Sequence, residues 1–188
     1  MNTGKFPPVM PSSRRPVIFL TGYRGSGKTS VAKLLAGRLG WQWLDADEAL
    51  VARHGKTIRA IFAEEGEAGF RDKEAGLLDE LCRLREHVVA SGGGVVLRPE
   101  NRGKLRSGLV IWLTADAATL WRRISSDATT TEQRPNLTGG GLSEVEELLR
   151  VREPLYRGCA DLVVDTTGMS PEQVVEAILA QGEFGKTV

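Results

Sequence analysis

The chain has 188 residues, 41% hydrophobic and 26% charged, which suits one folded core at roughly 100–200 residues per domain and excludes a disordered polymer. Lys and Arg total 25 against 24 Asp and Glu, so the formal net charge is +1. That balance excludes a broad basic footprint, and neither nucleic acid nor membrane is expected as a partner. Cys82 and Cys159 form no C-x-x-C pair, and no apolar run reaches the ~18–20 residues of a membrane span. A cytoplasmic location is the expectation.

The first sixteen residues, MNTGKFPPVMPSSRRP, hold four prolines and no apolar signal-peptide stretch. Residues 1–15 read as a flexible tail and 16–188 as a single domain. Apolar runs then recur at 17–20, 41–44, 87–90, 109–113 and 162–164. Their continuous apolar character suits strands covered on both faces, as in a parallel sheet. Between them lie helical stripes, Val31, Leu34, Leu35 and Leu39 in one and Leu77, Leu78, Leu81 and Leu84 in another. Ser143 with Glu146, and Ser170-Pro171 with Gln173, form capping boxes that predict helix starts. The alternation of strand and helix is that of an α/β three-layer domain. Residues 125–141 (SSDATTTEQRPNLTGGG) break this rhythm with a polar connection longer than ~12–15 residues, the length at which a functional lid is expected.

Gly22-Tyr23-Arg24-Gly25-Ser26-Gly27-Lys28-Thr29 matches G-x-x-x-x-G-K-[ST], after a strand and at the start of a helix. Glycines let the backbone curl until several N–H groups point at phosphates, and the helix N-terminus adds positive potential. Lys28 is placed to reach the β- and γ-phosphates, and the Thr29 hydroxyl to ligate Mg²⁺. No N-K-x-D segment marks a guanine site. Two acidic segments compete for the metal side. Leu162-Val163-Val164-Asp165 has the form of a hydrophobic strand ending in Asp, but Thr166-Thr167-Gly168 after it suits a turn. Asp45 and Asp47 end another apolar run, where open α/β sheets bind ligands, and are favoured for Mg²⁺ and proton chemistry. The same pair also fits a plain helix N-cap.

With these residues in hand, the chain resembles the shikimate kinases. The resemblance rests on Asp45-Ala46-Asp47, on residues 58–74 ending in Phe70-Arg71 and Glu74, on Ser91-Gly92-Gly93-Gly94, on Arg134-Pro135, and on Arg152-Glu153-Pro154-Leu155-Tyr156, in that order. It covers about residues 17–179 and implies an α/β P-loop kinase fold with a five-stranded parallel sheet, helices on both faces and a mobile lid. It further implies transfer of the ATP γ-phosphoryl to the 3-hydroxyl of shikimate, with Mg²⁺, by a monomer. Gly25, Ser26, Gly27, Lys28, Thr29, Ser30 and Arg134 are the implied ATP contacts, with Thr29 and Asp45 on the metal side.

The resemblance makes Asp47 the general base and gives Arg71, Gly93 and Arg152 to the substrate. Two arginines can clamp a carboxylate by charge-assisted bonds, although Arg71 can also simply pair with Glu74 at i,i+3. Lys28 and Arg134 would act on the transferring group. Residues 127–133 lack the Arg that the family commonly carries beside the adenine, which leaves the turn 168–171 and Arg122 or Arg123 for the base. His54 and His87 have no companions at metal spacing, and the four tryptophans are expected in core and strand packing. Two rivals remain. A kinase for another polyol acid, such as gluconate, shares the loop but not the later motifs; a ligand-sensing module would have lost Lys28 or the aspartates.

Overall fold

The structure, a computed structural model, describes residues 17–126 and 141–181. The tail 1–15, Arg134-Pro135 and most of the expected lid lie outside the described residues. In chain order the elements are β1 (Val17–Thr21), α1 (Lys28–Leu39), β2 (Gln42–Asp45), α2 (Ala46–His54), α3 (Ile58–Leu81), β3 (His87–Ala90), a 3-10 turn (Val95–Leu97), α4 (Pro99–Leu105), β4 (Leu109–Thr114), α5 (Ala117–Ser126), α6 (Gly141–Cys159), β5 (Leu162–Asp165) and α7 (Pro171–Gln181). The strands form one five-stranded sheet in the order β2-β3-β1-β4-β5, and every pairing is parallel.

Alternation along the central strands feeds two apolar layers. Val17 and Phe19 of β1, with Val110 and Trp112 of β4, face α2, α3, α4 and α6. Ile18, Leu20, Ile111 and Leu113 face α1 and α7 through Val31, Leu35, Val174 and Ile178. A third cluster, Tyr23, Leu120, Ile124, Val145 and Leu149, packs α5 and α6 at the end of β1. Continuous apolar runs thus reflect two-sided burial at β1, β3 and β4.

Four expectations change. The run 41–44 becomes an edge strand: Trp43 is 37% exposed, with the Lys33 ammonium 4.6 Å above its ring. Trp121 is equally exposed, so of the tryptophans only Trp112 is fully buried. The expected connection 125–141 is helical at both ends, since Ser125 and Ser126 close α5 and Gly141 opens α6. Because the chain enters α6 through Gly141 at φ 64°, Ser143 falls within the first turn and not ahead of it as a cap. The second capping box is reciprocal as expected: the Gln173 amide donates to Ser170 Oγ at 3.3 Å, and the Ser170 amide to Gln173 Oε1 at 2.8 Å. One feature carries no sequence signal: α3 is two helical segments joined at Gly66, whose φ of 69° and ψ of −173° interrupt the helix.

Strand register sets where the chemistry can occur. Leu20 lies opposite both Ala90 and Ile111, and Asp45 opposite Ala90. The C-terminal ends of β2, β3 and β1 therefore finish side by side, and the sheet order diverges around β1, the crevice where open α/β sheets bind ligands.

Asp116, ahead of α5, accepts from the Thr119 amide at 2.7 Å and the Thr119 hydroxyl at 2.8 Å. The Thr119 amide bond, then its hydroxyl, holds the Asp116 carboxyl below its ordinary range. A carboxyl depressed in the folded state contributes stability above the unfolded value of about 3.9 and loses it as pH falls through the folded one. Asp116→Ala should lower the urea midpoint at pH 7, and the gap to the parent should close below about pH 4. A gap independent of pH would assign the loss to packing alone.

Candidate active site

The loop between β1 and α1 is shaped by three glycines with positive φ. Gly22 has φ 140°, and a Cβ there would lie 2.2 Å from the Leu113 carbonyl oxygen of β4. Gly25, at φ 81°, would meet Leu120 O and Ile124 Cγ1 of α5, each at 3.0 Å. Gly27, at φ 88°, caps α1 and has open space where its Cβ would be. No side chain caps this helix start, so its first amides face the loop's concavity. That is the construction of an anion cradle. Lys28, the first residue of α1, donates from Nζ to Tyr23 O at 2.8 Å, Gly22 O at 3.0 Å and Ser26 Oγ at 3.4 Å. The ammonium is thus held over the loop.

Asp45 ends β2 and carries two duties. Its Oδ1 accepts from the amides of Asp47 at 2.9 Å and Glu48 at 3.4 Å, capping α2, while Oδ2 accepts from Thr29 Oγ1 at 2.7 Å. The N-cap reading and the metal-side reading therefore describe the same carboxylate. Asp47 stands in the first turn of α2 and lines the same cavity as Lys28 and Thr29. Asp165 is elsewhere: it ends edge strand β5, and its Oδ1 accepts from the Thr167 amide at 2.9 Å, the turn expected there.

The cavity is about 640 Å³ and runs from residues 24–31, Asp45, Asp47 and Gly93 to Arg123, Thr166, Met169 and Pro171. Arg123 ties the two ends together. It donates to Gly25 O at 3.3 Å, to Thr166 Oγ1 at 3.0 Å and to Thr166 O at 2.8 Å. Of the two arginines open to the base, Arg123 lines the cavity, and the turn 168–171 contributes Met169 and Pro171.

Beyond Gly93 lie the arginines. Arg71 on α3 is buried, and its Nη1 donates to Glu74 Oε2 at 2.8 Å between side chains only 10% and 9% exposed. This is not the solvated helix-surface pair that i,i+3 spacing suggests. A Cβ on Gly94 would sit 2.3 Å from Arg71 Nη1, so only glycine there lets the guanidinium approach. Arg152 on α6 lies with its guanidinium carbon 5.7 Å from the Tyr23 ring centre, a cation–π contact to the loop itself. Burial raises the Tyr23 phenol above its ordinary value, against the opposing pull of Arg152 and Arg24. Four residues after Arg152, the buried Tyr156 donates its hydroxyl to the Gly93 carbonyl and stacks on Trp112 at 5.8 Å.

The structure thus gathers Gly25, Ser26, Gly27, Lys28, Thr29, Ser30, Asp45, Asp47 and Gly93 around one cavity, while Arg71 packs against Gly94 and Arg152 against Tyr23, outside its lining. Arg134 lies outside the described residues. The contributions of Gly94 and Tyr156 went unassigned in the sequence. For Gly94 and Tyr156 the signal was available inside the motifs G-G-G and R-x-P-L-Y. Among the described residues there is no cluster of three or more His, Cys, Asp or Glu suited to a metal, and no helix long and apolar enough to cross a membrane.

A parallel sheet opened around β1, an anion cradle at its end and an acidic pair beside it define a P-loop kinase of the three-layer α/β class. The family model described as shikimate kinase matches residues 24–183. The chain is 43% identical over 164 residues to a shikimate kinase from Rhodopirellula baltica, covering 86% of this chain and 88% of that one. It is 41% identical over 173 residues to one from Burkholderia lata, covering 91% and 92%. The fold superposes on an Acinetobacter baumannii shikimate kinase in complex with shikimate with a TM-score of 0.82 and 34% identity, over 90% of this chain and 95% of that one. The protein belongs to the shikimate kinase family. A gluconokinase from Sinorhizobium meliloti shares the fold alone, at 21% identity and a TM-score of 0.60.

The double duty of Asp45 makes a stability prediction. Asp45→Ala removes the α2 cap and the Thr29 acceptor together and should cost about 0.5–2 kcal/mol in chemical denaturation. Asp45→Asn keeps the oxygen that caps α2 and meets the Thr29 hydroxyl with an amide N–H, which the hydroxyl can accept, and should lose less. Equal losses for the two would locate the effect in the charge and not in the cap.

Proposed function

We propose that this enzyme transfers the γ-phosphoryl group of ATP to the 3-hydroxyl of shikimate, giving shikimate 3-phosphate and ADP. The observation that carries this reading is the buried Arg71 packed against Gly94, with Arg152 beside the phosphate loop. A phosphate cradle alone serves many acceptors. Two arginines next to it select one that bears a carboxylate.

In this mechanism the amides of residues 25–30 bind the phosphates and Lys28 leaves its loop carbonyls for the β- and γ-phosphoryl oxygens. Shikimate lies over Gly93, with its carboxylate toward Arg71 and Arg152 and its ring hydroxyls toward Asp47. Asp47 accepts the proton of the 3-hydroxyl as its oxygen attacks the γ-phosphorus and the bond to the β-phosphate oxygen breaks. Arg134 is assigned to the charge on the transferring group. The adenine is assigned to Arg123 and to Met169 and Pro171.

Thr29 and Asp45 supply a hydroxyl and a carboxylate 2.7 Å apart at the cradle, hard oxygen donors of the kind Mg²⁺ takes. They fit the ion and would hold it, Asp45 through water. Mg²⁺ supplies neutralisation of phosphate charge when bound. The free thiols of Cys82 and Cys159 support a reducing, cytoplasmic setting.

Coupled ADP release across shikimate, its methyl ester and gluconate tests the reading. Shikimate should drive turnover and the ester should not. Equal turnover of the ester, or turnover of gluconate in place of shikimate, would overturn it.

The assignment of the base is tested separately. Asp47→Asn keeps shape and an acceptor but can take no proton, so kcat should fall by about 10²–10⁴ with ATP affinity little changed. A kcat near the parent value would leave Asp47 a first-turn helix residue only.

A further inference from the structure

The guanidinium of Arg71 has two edges, and they are held differently. Nη1 donates to Glu74 Oε2 at 2.8 Å, within the protein. Nε and Nη2, the parallel pair that grips a carboxylate side-on, both donate to Glu67 Oε1, at 3.3 and 3.2 Å. The two partners contrast sharply. The Glu74 side chain is 9% exposed, that of Glu67 60%. One bond is enclosed and short, and the other faces water and is long.

Glu67 is also placed to let go. It is the first residue beyond the break at Gly66, so it starts the second segment of α3. A carboxylate at a helix start is favoured by the free amides and the helix dipole whether or not it holds Arg71. Water is available to it on the open side. Releasing the guanidinium therefore strands neither group, provided another carboxylate takes the vacated edge.

We propose that Glu67 is a place-holder for the substrate carboxylate: it occupies the Nε/Nη2 edge of Arg71 in the free enzyme and yields it when shikimate binds. This rests on the reading that Arg71 receives that carboxylate. The contact keeps a buried cation partnered and pre-aimed between turnovers. Its consequence is a tax on affinity, because the fraction of molecules with Glu67 in place must give up that bond before the ligand can use the edge. Removing the place-holder should tighten binding, the opposite of what loss of a supporting residue does.

Two variants separate the place-holder from its alternatives. Glu67→Gln keeps the length of the side chain and removes its charge. Glu67→Asp keeps the charge and shortens the reach by one methylene. Shikimate and its methyl ester are titrated by calorimetry into the parent and both variants. Shikimate affinity should rise about two- to fivefold in both variants, the size expected of an exposed ion pair, and ester affinity should not change. Weaker or unchanged shikimate binding in both would overturn the proposal and make Glu67 a support for Arg71 or a bystander. A gain in Glu67→Gln but not Glu67→Asp would reduce it to bulk charge and overturn it as well. The parent reading fails on a different result: equal binding of shikimate and ester by the unaltered enzyme, which removes Arg71 from the carboxylate and the place-holder with it.

Discussion

The bond from Thr29 to Asp45, 2.7 Å long, joins two parts of the molecule that the chain itself keeps apart. Thr29 stands at the start of α1 and Asp45 at the end of β2, and β3 runs between β2 and β1 in the sheet. Only parallel register, with β1, β3 and β2 ending level, brings them together. The same carboxylate then starts α2 and so sets where Asp47 stands. The cradle, the Thr29 hydroxyl and the neighbouring carboxylate are in this way fixed by one residue. Small rearrangements of β2 would be felt at all three.

A second constraint governs the surroundings of Arg71. Burying Arg71 is costly unless its charge is answered, and Glu74 answers it from the same helix, one turn away. The side chain then passes Gly94 at a distance no Cβ would permit. Gly93 is held from the other side by the Tyr156 hydroxyl. Two adjacent glycines thus face different partners, one admitting a cation and the other lying against the phosphate loop. Helix α6 reaches Gly93 through Tyr156 and, one turn earlier, the phosphate loop through Arg152 over Tyr23.

Most of the framework is legible in the chain because its signals are local. Five apolar runs became five strands, with half of their bounds shifted by one residue. The glycine loop followed its strand, and the second capping box closed as its residues require. What the chain did not disclose depends on distant neighbours. Nothing in the run 41–44 says that β2 is an edge strand with Trp43 partly open, because that depends on which strand lies beside it. The burial of the Arg71–Glu74 pair is likewise invisible in i,i+3 spacing, which describes one helix and not what covers it. The break at Gly66 is quieter still: a glycine within a helical pattern reads as a weak position, and only the backbone angles show that the axis changes there.

The glycine loop is gripped from outside before anything enters it. Leu113 of β4 closes on Gly22, α5 closes on Gly25 through Leu120 and Ile124, and Arg123 pins the Gly25 carbonyl to Thr166. Such a cradle has little conformational freedom left to surrender. A nucleotide arriving there spends its binding energy against desolvation and the loop's hold on Lys28, not against the entropy of folding a loop around itself. Preorganisation of this sort is a property of the sheet and of α5. It makes the stiffness of β4, an element that touches no phosphate, a determinant of how tightly phosphate is held.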